Sequence, residues 1–100
     1  MTRLAVLVAF SVRPEAKAAF QRLVMDNAAA SLANEPGCRQ FDVLVPEKGL
    51  AGDFVLYEIY EDAAAFDAHL RSDHYRAFDQ TAAPMALAKT VTRLLFAEPS

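Results

Sequence analysis

Residues 14–34, PEAKAAFQRLVMDNAAASLAN, read as one helix and decide how the rest of the chain is parsed. Pro14 suits a first helical turn, where its missing N–H would have no intrahelical acceptor. Pro36 and Gly37 end the run, since proline cannot continue a helix and glycine supplies a turn. Ala16, Phe20, Leu23 and Val24 are spaced for one buried face. At roughly 100° per residue, Asn27 and Ser31 fall within about 20° of Phe20, at the centre of that face. A buried amide without a hydrogen-bond partner costs on the order of 1–3 kcal/mol. Asn27 therefore needs either a structural hydrogen bond or a ligand in a cavity beneath the helix.

Outward from this helix the apolar period changes. Residues 3–12 alternate, with Leu4, Val6, Val8, Phe10 and Val12 on one side and Ala5, Leu7, Ala9 and Ser11 on the other, which predicts a strand. Residues 39–45 (RQFDVLV) and 53–60 (DFVLYEIY) predict a hairpin around a loop at 46–52. Asp62 is placed to cap a short helix ending near Leu70. Ser72 or Asp73 can cap another from His74 to about Ala82, ahead of Pro84. A last strand is expected from about Thr90 to Phe96. The order β-α-β-β-α-β is that of a ferredoxin-like α+β fold, a four-stranded antiparallel sheet with helices on one face. The strands are apolar on both sides, so the face without helices needs cover. Two sheets packed face to face in a homodimer would supply it.

Composition points the same way. Apolar residues make up 54% of 100 residues, high for a single domain of this size with so little interior. The net charge is −3 and no basic run occurs, which argues against nucleic acid and anionic membrane as partners. One cysteine, Cys38, excludes an intrachain disulfide and fits a reducing compartment; it reads as a small apolar residue after a turn rather than a reactive thiol. The segment MTRLAVLVAFSV has an apolar stretch behind an arginine, as a signal sequence does. Its alternation and the Arg13-Pro14 break instead read as a strand entering a helix, so a cytoplasmic location is expected. No apolar run reaches the length of a bilayer.

Two other elements carry interruptions like that of Asn27. In residues 53–60, Phe54, Leu56, Glu58 and Tyr60 share one face, which sets a carboxylate among large apolar neighbours. Such burial raises a carboxyl pKa unless a donor pairs with it. After Asp62, Phe66, His69 and Leu70 fall at i, i+3 and i+4, so His69 lies on the inward stripe. Asn27, Ser31, Glu58 and His69 thus converge from three elements, more buried polar groups than a structural network usually needs. Each also has a structural reading: Asn27 bonded to backbone, Ser31 to its own helix, Glu58 to His69 or a tyrosine, His69 to a carbonyl. His74, near a helix start, reads as a structural or exposed residue rather than a catalytic one. No metal is expected, because two histidines five residues apart and a single cysteine lack ligand spacing. Phosphate-binding glycine loops and a dinucleotide fingerprint are absent, so neither flavin nor nicotinamide is expected.

The stretches DNAAASLANEPGCRQFDVLVP (26–46) and FVLYEIYEDAAAFDAHLRSDHYRAF (54–78) resemble the antibiotic biosynthesis monooxygenase domain. That pattern has an Asn and a Ser on the first helix, EPGC before a Phe-bearing strand, a YExY-like strand and an A-H-x-x-S-x-H-[YF] helix. The likeness spans about residues 3–97. It implies ferredoxin-like dimers whose sheets form an α/β barrel, with a ligand pocket between each sheet and its helices. It also implies cofactor-independent oxygenation of quinols or polyphenols by O₂. A branch with a similar motif set isomerises a phosphorylated quorum-sensing sugar derivative. Haem-degrading relatives rely on a tryptophan, and this chain has none.

On that basis Asn27 is expected to hydrogen-bond a substrate oxygen and His69 to accept the substrate proton, since an imidazole titrates near neutrality. Glu58 is expected to orient or charge-stabilise His69. Ser31, Phe41, Tyr60 and His74 are expected against the aromatic substrate, with Phe41 and Tyr60 shaping its wall. The isomerase alternative needs cationic groups at the pocket mouth, for which Arg39, Arg71 and Arg76 are the candidates. A third reading, a non-catalytic dimeric binding module, would keep Asn27 and dispense with Glu58 and His69.

Overall fold

The computed structural model describes residues 2–48 and 52–97. In chain order it has β1 (Leu4–Val12), a 3-10 turn (Pro14–Ala16), α1 (Lys17–Asn34), β2 (Cys38–Leu44) and β3 (Phe54–Tyr60). Then come α2 (Ala63–Arg71), α3 (Asp73–Ala82), a second 3-10 turn (Ala83–Met85) and β4 (Ala86–Leu95). The strand order is β2-β3-β1-β4 with every neighbour antiparallel, the ferredoxin-like α+β plan. No described helix is long and apolar enough to cross a membrane.

Local chemistry sets the element ends. Asp62 caps α2 by accepting the Ala65 N–H at 2.8 Å. At α3 the cap is Ser72, whose hydroxyl accepts the Tyr75 N–H at 3.3 Å, while Asp73 occupies the first turn. The last strand starts at Ala86, four residues before the expected Thr90. Pro84 sits in a 3-10 turn that delivers the chain straight to the sheet, where the Arg13 N–H donates to Met85 O at 2.9 Å. Val12 then pairs with Ala86 and Ser11 with Ala88, so Leu87 is the extra residue of a bulge. That irregularity masks the strand's alternation.

The core lies between the sheet and the helices. Leu4, Val6, Val8, Phe10 and Val12 of β1 are all buried against Phe20, Val24 and Ala28 of α1. Phe20 is 0% exposed, with ring centroids 4.8 Å from Phe10, 5.2 Å from Phe54 and 6.0 Å from Phe78. The opposite sheet face carries Leu7, Ala9, Val55 and Tyr57 half-buried, with Leu44 and Leu94 exposed. This surface is largely apolar, with Asp42, Thr90 and Thr92 among its polar residues, and no described helix lies over it.

One close approach positions the site. The turn after α1 presses onto α2: Gly37 O accepts the Glu61 N–H at 2.7 Å. A Cβ at Gly37 would lie 2.5 Å from the Ala65 Cβ, so only glycine permits this contact. Glu35, two residues earlier, is thereby held beside α2.

Candidate active site

The polar residues of the three elements meet. Asn27, Glu58 and His69 are 4%, 2% and 2% exposed and line one cavity of about 40 Å³, with Phe41 and Phe66 among its apolar walls. The His69 ring stands 5.0 Å from Tyr75, 5.5 Å from Tyr60 and 5.9 Å from Phe41, centroid to centroid. Burial among these rings depresses its basicity below the ordinary imidazole value, against the pull of Glu35. His69 Nδ1 lies 2.8 Å from Glu35 Oε2. With the carboxylate as acceptor, the proton belongs on Nδ1, which leaves Nε2 as the basic nitrogen.

Glu58 has a different environment. The Tyr60 hydroxyl donates to Glu58 Oε1 at 2.5 Å. Burial outweighs that bond, and the Glu58 carboxyl is raised to about 7, with Glu35 adding repulsion. At neutrality it is therefore divided between acid and carboxylate. Burial and Glu58 push the Tyr60 phenol upward, so it remains a neutral donor.

The carboxylate in contact with His69 is that of Glu35 rather than Glu58, because the tight Gly37 turn carries Glu35 onto His69 while Glu58 accepts from Tyr60. Phe41 lines the cavity as expected of a wall residue, but Ser31, Tyr60 and His74 stand behind its wall. Ser31 is 0% exposed and donates to Asn27 O at 2.7 Å, the back-bond available to any helical serine. Tyr60 is turned to Glu58. His74 Nε2 contacts Glu35 Oε2, with Ser72 Oγ at 3.2 Å, and lines a separate groove of about 350 Å³ between α1 and α3. Nor do the three candidate arginines reach the cavity. Arg39 pairs with Glu61 at 3.2 Å, and Arg71 and Arg76 are exposed. The cationic residue on the cavity wall is Lys89 of β4, whose ammonium donates to the Tyr75 hydroxyl at 3.3 Å.

Glu35 is the residue that sequence reasoning missed. In a Glu-Pro-Gly turn it reads as a solvated loop carboxylate, and its partner His69 lies 34 positions away. Its Oε2 serves two imidazoles, while Oε1 is buried with no partner. Asn27 Oδ1 is likewise buried and unpartnered, an acceptor awaiting a donor. Glu35, His69 and His74 also offer ligand atoms within 4.8 Å of one another, a set able to hold a divalent metal. Histidine spacing alone gave no hint of this, because the third ligand comes from another element. Cys38 is buried, and its thiol is pushed up to about 12, chiefly by desolvation, so it behaves as a small apolar side chain.

Together these groups set an imidazole bonded to a carboxylate, a carboxyl raised to about 7 and an amide with an unpartnered acceptor around an apolar hollow. Known proteins share the arrangement's scaffold. The Mycobacterium tuberculosis protein Rv0793, provisionally named a monooxygenase, is 37% identical over 71 residues, 71% of this chain and 67% of that protein. Its solved structure superimposes with a TM-score of 0.81 over 98% of this chain and 96% of its own, at 28% identity. A Caulobacter crescentus crystal structure, provisionally described as an antibiotic biosynthesis monooxygenase, gives a TM-score of 0.88 over 97% and 92% of the two chains, at 26% identity. A Bacteroides fragilis structure described as dimeric and ferredoxin-like shares the fold at 15% identity, with a TM-score of 0.82 over 94% and 96%. Residues 3–81 match the antibiotic biosynthesis monooxygenase family across the helix, turn and paired-histidine segments that build the cavity, and the chain belongs to that family.

Proposed function

We propose that the chain is a cofactor-independent monooxygenase acting on a quinol, polyphenol or similar electron-rich aromatic. The observation that carries this reading is the unpartnered Asn27 Oδ1 on a cavity wall shared with His69 and Glu58. A phenolic O–H satisfies Asn27, and a second substrate hydroxyl gives its proton to His69. The resulting anion passes electrons to O₂ and recombines with it. One oxygen atom enters a ring carbon, the other leaves as water, and the quinol leaves as the hydroxylated quinone, so the substrate supplies every electron. Glu58, held by Tyr60, donates to or accepts from the oxygen that changes charge.

The hollow of about 40 Å³ is smaller than the roughly 150 Å³ that admits a benzene ring. Substrate entry therefore requires its wall to yield where side chains are free, at the exposed Leu70, Lys89 and Val91. The apolar outer sheet face supports a homodimer built by packing two sheets together.

The test is oxygen uptake on menadiol with chelator present and autoxidation subtracted. Asn27→Ala and His69→Ala should each lower turnover by about tenfold or more while the protein stays folded. Undiminished rates in both would remove the assignment, and light scattering reads the dimer. Lys89 favours a second reading, isomerisation of a phosphorylated substrate, since an ammonium on the wall suits an anion. Anaerobic proton exchange into a phosphosugar, with no oxygen uptake, would select it.

A further inference from the structure

The helix-facing side of β4 carries charge where that of β1 carries only hydrocarbon. Lys89, Val91 and Arg93 pair with Phe10, Val8 and Val6 of β1, so all three point to the side that the helices cover. β4 is an edge strand, and these residues are exposed. Lys89 and Val91 line the cavity, and the Arg93 guanidinium stands 5.3 Å from the ring of Phe66, another wall residue. The Lys89 ammonium lies 5.7 Å from the Phe10 ring and 5.8 Å from the Tyr75 ring, and donates to the Tyr75 hydroxyl at 3.3 Å. Among the described residues neither cation forms an ion pair. We propose that the pocket takes a hydroxylated aromatic carboxylate, its phenolic end inside and its carboxylate held at the mouth by Lys89 and Tyr75. This rests on the oxygenase reading of the cavity and names the substrate class within it.

The cavity offers different chemistry at its two ends. Inside, Asn27, His69 and Glu58 suit hydroxyl groups, and burial there already raises the Glu58 carboxyl to about 7. A second carboxylate taken to that depth would lose its water and meet another acid. At the mouth the same group keeps part of its hydration and gains an ammonium. The Tyr75 hydroxyl accepts from Lys89, so its own proton is left to donate, and no acceptor among the described residues takes it. Ammonium and phenol thus present two donors, one from β4 and one from α3, to a single anion.

The two cations have unequal parts. Four residues of strand separate their backbones by about 13 Å. Lys89, which lines the cavity, makes the contact, and Arg93 adds its field to the approach of an anion. Val91 sits between them, and with the exposed Leu70 it gives the opening an apolar edge for the ring. Inward charges on an edge strand also discourage the addition of another strand. That role alone would make no distinction between an acid and a neutral ligand of the same shape.

The experiment compares ligands that differ only in charge. By calorimetry, 6-hydroxy-2-naphthoate should bind at least about tenfold more tightly than 6-hydroxy-2-naphthamide. Lys89→Gln should bring the two within about threefold of each other, Lys89→Glu should reverse the order, and Arg93→Gln should shrink the preference by about threefold or less. Each variant is judged by its own ratio, so a general loss of affinity does not mimic the result. Equal affinities for acid and amide in the unmodified protein, or a preference that survives Lys89→Gln, would overturn the acid site. Tighter binding of 2-naphthyl phosphate than of the naphthoate would overturn the carboxylate in favour of a phosphorylated ligand. Oxygen uptake is measured separately on menadiol and on 1,4-dihydroxy-2-naphthoate, which carries a carboxylate where menadiol has a methyl group. If Lys89 discriminates acid from amide but neither quinol is oxygenated, the oxygenase reading fails and the acid site stands.

Discussion

The layer between sheet and helices has two ends built on opposite principles. At one end Phe10, Phe20, Phe54 and Phe78 fill the space ring against ring. At the other, Asn27, Glu58 and His69 surround a hollow on which Phe10 and Phe78 also border, and two buried oxygens, Asn27 Oδ1 and Glu35 Oε1, lack partners. The same helix serves both ends: Phe20 and Asn27 are two turns apart on one face of α1. The aromatic end maximises apolar burial, while the other gives up packing and hydrogen bonds to keep chemistry available. The difference teaches that stability and reactivity are segregated along one element, so they should respond to different perturbations.

The largest test falls on the aromatic end. Phe20→Ala deletes a ring with no exposed surface and should cost about 3–5 kcal/mol in urea unfolding. That loss should be nearly independent of pH, since the rings packed on it, Phe10, Phe54 and Phe78, carry no charge. A small or pH-dependent loss would break the comparison.

The polar end should instead show itself through pH. Glu58 is raised from 4.5 to about 7, so the folded state holds a proton that the unfolded chain releases earlier. Its contribution is fully present below the unfolded value and is lost as pH rises through about 7, by an amount on the order of 3 kcal/mol. His69 acts in the other direction. Its basicity is depressed from 6.5, so unfolding takes up a proton and stability falls as pH drops below that value. Stability measured from pH about 4 to 9 should therefore lose its alkaline decline in Glu58→Gln and keep its acid decline. An unchanged alkaline limb would place the titration elsewhere.

The smallest effect is local. Asp62→Ala removes the α2 cap and should cost about 1 kcal/mol at neutral pH, with no change in the Glu58 limb. If that limb moved, the cap and the cavity would be coupled through α2, and the separation of the two ends would be less complete.

Much of this was legible in the sequence because periodicity reports burial directly. The alternation of β1 and the stripe broken at Asn27 predict both the fold and the convergence of Asn27, Glu58 and His69. What stayed hidden depends on contacts distant in sequence. Nothing local to Glu35 reveals that a glycine two residues on presses the turn against Ala65 and aims a carboxylate at His69. Tyr60 shares a strand face with Glu58, yet whether it meets substrate or its own neighbour is decided by rotamers. The start of β4 was obscured by the bulge at Leu87, which shifts the side-chain phase by one. The histidine pair shows no ligand spacing in sequence for a similar reason, since the third nearby ligand atom comes from Glu35 on another element.

Asp53 offers a last consequence. Its carboxylate accepts the Val12 N–H at 2.7 Å and pairs with Lys17 at 3.1 Å, and its own N–H donates to Phe10 O at 2.7 Å. The first residue ahead of β3 is thus clasped to the end of β1 and the start of α1. A slip of one position would swing Glu58 to the far side of the sheet. With the clasp shut, β3 keeps its phase against β1 and the acid stays aimed at its hollow.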